Sequence, residues 1–186
     1  MNESDQYHHG NLRQALLAAA IGEIETHGPS AVSLRAVAKA AGVSHSAPAH
    51  HFGDKAGLLT ALAAEGYHKF ADALEAKWAQ TGDFAELGIA YVQFALDHRT
   101  YFGLMYRLEL LRENDPDLQA GRTRAYNALQ TGADAATSTG EAQITALAGW
   151  SLVHGYATLL LAGNLPESLA QDPAATARLL TQKLQP

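Results

Sequence analysis

The chain has 186 residues, 47% hydrophobic and 17% charged, with a formal net charge of -6: an ordinary globular composition, long enough for one sizeable core or a small module joined to a larger one. The absence of cysteine excludes disulfides and thiolate metal sites. The opening MNESDQYHHGNLRQ lacks the basic and long apolar regions of a secretory signal, and no run approaches the roughly 20 apolar residues that cross a bilayer, so a cytoplasmic protein with no membrane partner is expected.

Residues 1 to about 10 read as a polar lead-in, in which Tyr7-His8-His9-Gly10 is either an arm near a partner or a frayed end. From Asn11 to His27, Leu12, Leu16, Ala19, Ala20 and Ile24 recur at helical spacing, and Gly28-Pro29 stops this brace helix. Ser33 then caps a short helix whose apolar face is Leu34, Val37, Ala38 and Ala41. Gly42 suits the sharp turn that follows, Val43 plugs the angle, and Ser44 offers a second N-cap. The next helix, Ser44 to about His51, displays His45, Ser46, His50 and His51 and has no broad apolar face, so it must be held by its neighbours and face something polar. The stretch reads as a DNA-reading helix-turn-helix.

Phe52 anchors the next turn, and Asp54 caps a long helix carrying Leu58, Leu59, Leu62, Ala63, Tyr67 and Phe70 to about Gln80. Such a helix starts beside the reader and ends deep in the second part, which makes it a lever. Beyond Asp83 the pattern predicts helices at about 83–98, 99–113, 117–137, 141–163 and 172–184, divided at Asn114-Asp115-Pro116, Ser138-Thr139-Gly140 and the Pro166 region. The expected fold is all-α: a three-helix helix-turn-helix DNA-binding domain over 1–56, its lever running from 54 to about 80, and a helical regulatory and dimerisation domain over 57–186.

Charge fits DNA binding least well. From Met1 to Thr60, Arg13, Arg35, Lys39 and Lys55 face Glu3, Asp5, Glu23, Glu25 and Asp54, so this segment is near neutral and the acidic excess lies beyond it. Weak non-specific binding, a strong salt dependence and reliance on two readers per dimer are expected.

In the second part, Tyr91, Phe94, His98, Tyr101, Phe102, Met105, Tyr106, Tyr126, Trp150, His154 and Tyr156 read equally as plain core or as the wall of an apolar cavity with polar handles. The candidates for ligand contact are Tyr91, Phe94, His98, Phe102, Met105, Tyr126, Trp150 and His154. Trp150 and His154 lie one helical turn apart, either lining a pocket together or forming a structural clasp. Glu65 and His68 have the Glu-x-x-His spacing of di-iron bundles, but no second copy exists, so neither a metal nor a cofactor is expected. No nucleophile with a base, phosphate loop or dinucleotide fingerprint argues for an enzyme. The helix from Glu141 to Leu165 is apolar almost all round, and with the last helix it offers more apolar surface than one small domain covers.

The brace helix followed by SLRAVAKAAGVS, then HHFGDKAGLL, and the later Trp150-Ser-Leu-Val-His154-Gly155 resemble the TetR family of bacterial one-component regulators over nearly the whole chain. The last signature resembles a subgroup named for its Trp-His-Gly motif. The resemblance implies a homodimer through the last two helices, a palindromic double-stranded DNA operator, a small-molecule effector and, most often, repression. It places Ser33 and Arg35 at the start of the helix that crosses the DNA backbone. Ser44, His45, Ser46 and Ala47 would begin the recognition helix, and His50 and Lys55 would meet phosphate. One departure is Ala49, where the family usually carries a phosphate-contacting tyrosine.

Overall fold

Short polar side chains set where helices begin. Ser33 Oγ accepts from the Ala36 amide, Asp54 Oδ1 from Gly57, Asp83 Oδ1 from Ala85, and Asp115 Oδ1 from both Asp117 and Leu118. Each satisfies amides that the first helical turn leaves without partners. The computed structural model describes residues 3–137 and 140–182, with side chains from Leu12 onward.

The helices are α1 (Glu3–His27), α2 (Leu34–Ala40), α3 (Ala47–Phe52), α4 (Lys55–Thr81), α5 (Phe84–Asp97), α6 (Arg99–Met105), α7 (Pro116–Ala136), α8 (Ala142–Leu161), α9 (Glu167–Ala170) and α10 (Pro173–Gln182). A 3-10 turn, Leu108–Leu110, lies between α6 and α7, and no strand occurs among the described residues. The expected all-α architecture is what forms, with the amino-terminal helix-turn-helix carried by α1 to α3 and a helical domain behind it.

Several boundaries differ from the sequence pattern. The lead-in is helical from Glu3, since a lone Gly10 weakens a helix without ending it. The arm reading of Tyr7 to Gly10 lies outside the described side chains. The predicted helix 99–113 stops at Met105, because Tyr106 turns inward onto Tyr91 and the Arg112 amide donates to Thr60 Oγ1 of α4, tying down the segment between. The short α9 after Pro166 was not predicted.

α4 is the spine. It packs against α7, α5 and α6, burying Leu58, Leu59, Leu62, Phe70 and Leu74, each worth about 1.5–3 kcal/mol if fully removed from water. α8 corrects the expectation about bilayer-spanning runs. Its 20 residues contain no Asp, Glu, Lys or Arg, and an 18-residue stretch of it reaches a mean hydropathy of 1.4, long and apolar enough to cross a membrane by length and composition. Scattered Thr, Ser and His side chains break the apolar run in the sequence, although the mean stays high enough. Here α8 packs on α5, α7 and α10, and only 28% of the stretch is buried.

Candidate nucleic-acid interface and internal cavity

Gly42 turns the chain after α2 with φ of 68°, a left-handed value that favours glycine, and the Val43 amide then donates back to the Ala38 carbonyl. The following helix begins later than its sequence suggests. The carbonyl of Ser44 accepts from Ala47 at 3.1 Å, and the first i to i+4 bond runs from the His50 amide to Ser46. Pro48 explains the shift: a helix entered at Ser44 needs an amide hydrogen at residue 48, and proline has none.

Pro48 and Phe52 are buried and hold α3 from behind, with the Arg13 guanidinium 5.6 Å from the Phe52 ring centroid. Their opposite face is open. Ser44, His45, Ser46, Ala49 and His50 are exposed, as are Ser33, Arg35 and Lys39 on α2, while Ala47 is half-buried. Lys39 was not among the predicted contacts, yet it is an exposed cation in the last turn of α2.

At the root of α4, Asp54 meets Arg112 across 2.8 Å. The Gly57 amide and this guanidinium, in that order, hold the Asp54 carboxyl below its ordinary range. The Lys55 ammonium donates to the Ser30 carbonyl, which occupies one of its three hydrogens. Gly57 has no room for a side chain, since a Cβ there would stand 2.0 Å from the Phe52 carbonyl oxygen. Reader and spine are thus joined backbone to backbone.

Farther along α4, a cavity of about 340 Å³ opens between this helix, the 3-10 turn, α7 and α8. Tyr67, Phe70, Tyr106, Leu108, Arg122, Ala125, Tyr126, Leu129 and Trp150 line it. Behind its floor lies a polar hub centred on the Tyr91 hydroxyl. Trp150 Nε1 donates to that oxygen at 3.2 Å, the Tyr106 hydroxyl lies 2.7 Å away and His154 Nδ1 2.9 Å away. Burial raises the Tyr91 phenol far above its ordinary range and Tyr106 to about 12, and it lowers His154, so all three stay neutral at physiological pH.

Of the residues predicted to touch a ligand, Tyr126 and Trp150 line this cavity, while Tyr91 and His154 sit one layer behind in the hub. Phe102 and Met105 are buried in the core. Phe94 and His98 border a separate surface depression with Lys77 and Gln93. Glu65 and His68 have other partners: Glu65 Oε1 accepts from the Tyr101 hydroxyl, and His68 Nε2 meets Asp117 at 2.9 Å. Sequence reasoning missed Tyr67, Phe70, Leu108, Arg122, Ala125 and Leu129 as lining, and it held Tyr106 in the aromatic set without naming it as a ligand contact. Arg122 had a legible signal, for it lies in register with Leu118, Ala125 and Leu129, on the otherwise apolar stripe of α7.

The family model described as bacterial regulatory proteins, tetR family, matches residues 16–62, and the tetracyclin repressor-like C-terminal domain matches 84–184. Among solved structures, a protein of unknown function from Rhodococcus sp. RHA1 shares 32% identity over 96% of this chain and 95% of its own, with a TM-score of 0.81. The protein SCO4313 shares 26% identity, covering 96% and 97% of the two chains, with a TM-score of 0.83. SmeT, solved with triclosan, shares the fold at 20% identity, covering 94% and 90%, with a TM-score of 0.64. No curated protein sequence matches the chain. The reader geometry and these matches lead to one assignment: the chain belongs to the tetR family of bacterial regulatory proteins, helical DNA-binding regulators of transcription.

Proposed function

We propose that the protein is an effector-responsive cytoplasmic repressor that binds a palindromic operator as a homodimer. The observation that carries this reading is the continuity of α4. Its first turn holds the root of the reader through Asp54 and Gly57, and farther along Tyr67 and Phe70 form part of the cavity wall. An occupant that shifts α4 therefore moves α3. Allosteric coupling is typically about 1–3 kcal/mol, which would lower operator affinity roughly 5- to 150-fold.

On this reading residues 1–56 form the DNA-binding domain and 57–186 the regulatory one. Ser33, Arg35, Ser44, His45, Ser46, Ala47 and His50 face the operator, joined by Lys39, and Lys55 approaches phosphate with its two remaining hydrogens. The convergence of Trp150 and His154 on Tyr91 supports membership of the Trp-His-Gly subgroup. Dimerisation through α8 and α10 is supported by their uncovered apolar side chains: Ile144 is 68% exposed, Leu147 52% and Leu179 62%. Gly155, with nothing within 4 Å of a built Cβ, leaves room there for a second helix.

Operator selection from random duplexes with the purified protein tests the reading, and an enriched palindrome is the expected result. Ala49 and the near-neutral reader favour a second reading, a helical dimer that binds ligand or protein but no specific DNA, and a selection without enrichment at low salt would establish it.

A further inference from the structure

Two arginines two positions apart on α7 live in opposite surroundings. Arg124 faces outward, its Nε 2.7 Å from Glu75 and its Nη2 2.7 Å from Asp72. Arg122 faces the cavity, and among the described residues it forms no ion pair. Its Nη2 is buried and has no hydrogen-bond partner. Its guanidinium carbon lies 5.5 Å from the centroid of the Tyr67 ring. The guanidinium also interacts with the Tyr67 phenol, yet this contact leaves the Nη2 donors unmet, so it does not fully discharge Arg122. A buried donor left in this state costs free energy that a suitable acceptor would recover.

The rest of the wall is apolar or aromatic, with Leu108 and Tyr126 at 44% and 40% exposure on the rim. Building on the reading of this cavity as the effector site, we propose that its ligand is an amphipathic monoanion: a carboxylate on an aromatic or alkyl body, with the carboxylate on Arg122 and the body between Phe70, Ala125, Leu129 and Trp150. One guanidinium balances one negative charge, whereas a dianion such as a phosphate monoester would bring a second charge into an apolar wall. A cationic ligand would meet Arg122 with like charge.

The test compares 2-naphthoate and decanoate with 2-naphthylmethanol and decanol, and with 2-naphthylmethylamine, by calorimetric titration of the full chain at pH 7.5. In a Trp78→Phe background, Trp150 fluorescence reports entry to the cavity. Each carboxylate should bind about 10- to 100-fold tighter than its alcohol, the range expected for a hydrogen-bonded charge. Arg122→Met should remove that preference and leave the alcohol's affinity unchanged, and Arg122→Lys should keep part of it. The comparison among ligands stands on the wild-type chain alone if a variant fails to fold. Equal binding of alcohol and carboxylate, tighter binding of the amine, or no binding of either carboxylate overturns the proposal. Repeating the titrations with selected operator duplex separates the two readings. A carboxylate that binds through Arg122 without weakening the DNA complex leaves the site assignment standing and removes the effector role. Release by the alcohols alone does the reverse.

Discussion

His50 stands in solvent on a helix held from behind by Pro48 and Phe52, whereas His154 is walled by the rings of Tyr106, Phe102 and Tyr91 at 4.5, 5.5 and 6.3 Å. The two regions organise polar groups in opposite senses. On the reader, apolar residues and the Ser33 and Asp54 caps hold the helices, and beyond those caps the outward side chains hold little of the fold. In the hub behind the cavity the polar groups hold one another, so each is part of the support. Side chains on the reader can therefore be exchanged for function with little effect on folding, and those of the hub cannot.

Tyr91→Phe breaks this contrast where it is strongest. Removing one hydroxyl leaves Trp150 Nε1, Tyr106 and His154 Nδ1 short of a partner in a part-buried setting. The expected loss is roughly 3 kcal/mol, read from urea unfolding. A loss under about 1 kcal/mol would mean that the hub is not what holds this end together. On the reader, Ala49→Tyr should leave the unfolding midpoint where it is and tighten operator binding about 2- to 10-fold by adding a phosphate contact. Unchanged or weaker binding would show a recognition helix organised around the alanine.

The smallest effect is in pH. Burial lowers the folded-state proton affinity of His154, so its contribution to stability is complete above the unfolded value of about 6.5. As pH falls below that value the unfolded chain gains a proton that the folded chain resists, and stability falls. His154→Gln should flatten the stability profile between about pH 7.5 and 5.5 by roughly a few tenths of a kcal/mol, given the partial exposure of this ring. A variant profile parallel to that of the wild type would remove His154 from the pH response.

The reader was legible because its determinants are local. Ser33, Gly42, Asp54 and the apolar spacing of α2 act within one or two turns of themselves, and they place the turn and the long helix closely. The shift of the recognition helix from Ser44 to Ser46 arises because the missing hydrogen of Pro48, tolerable within a first turn, instead delays the start of the helix. The cavity was harder for a different reason. Periodicity marks the inward face of a helix, but a void arises where several inward faces fail to meet, and that depends on distances between helices. Phe94, Phe102 and Tyr126 are alike in sequence terms, yet they border a surface depression, the core and the cavity. Arg122 was the exception, a cation on an apolar stripe.

The hub around Tyr91 also has a direction. With Trp150 always donating, the remaining hydrogens can run two ways. In one, Tyr106 donates to Tyr91 and Tyr91 to His154 Nδ1, whose ring carries its hydrogen on Nε2. In the other, His154 Nδ1 donates to Tyr91, Tyr91 donates to Tyr106, and the Tyr106 hydroxyl hydrogen is released toward the cavity. Both arrangements are neutral, and both leave Tyr91 accepting two bonds and donating one. Any occupant that accepts a hydrogen bond from Tyr106 selects the second. The tautomer of a histidine behind the wall then records whether the space in front of it is filled.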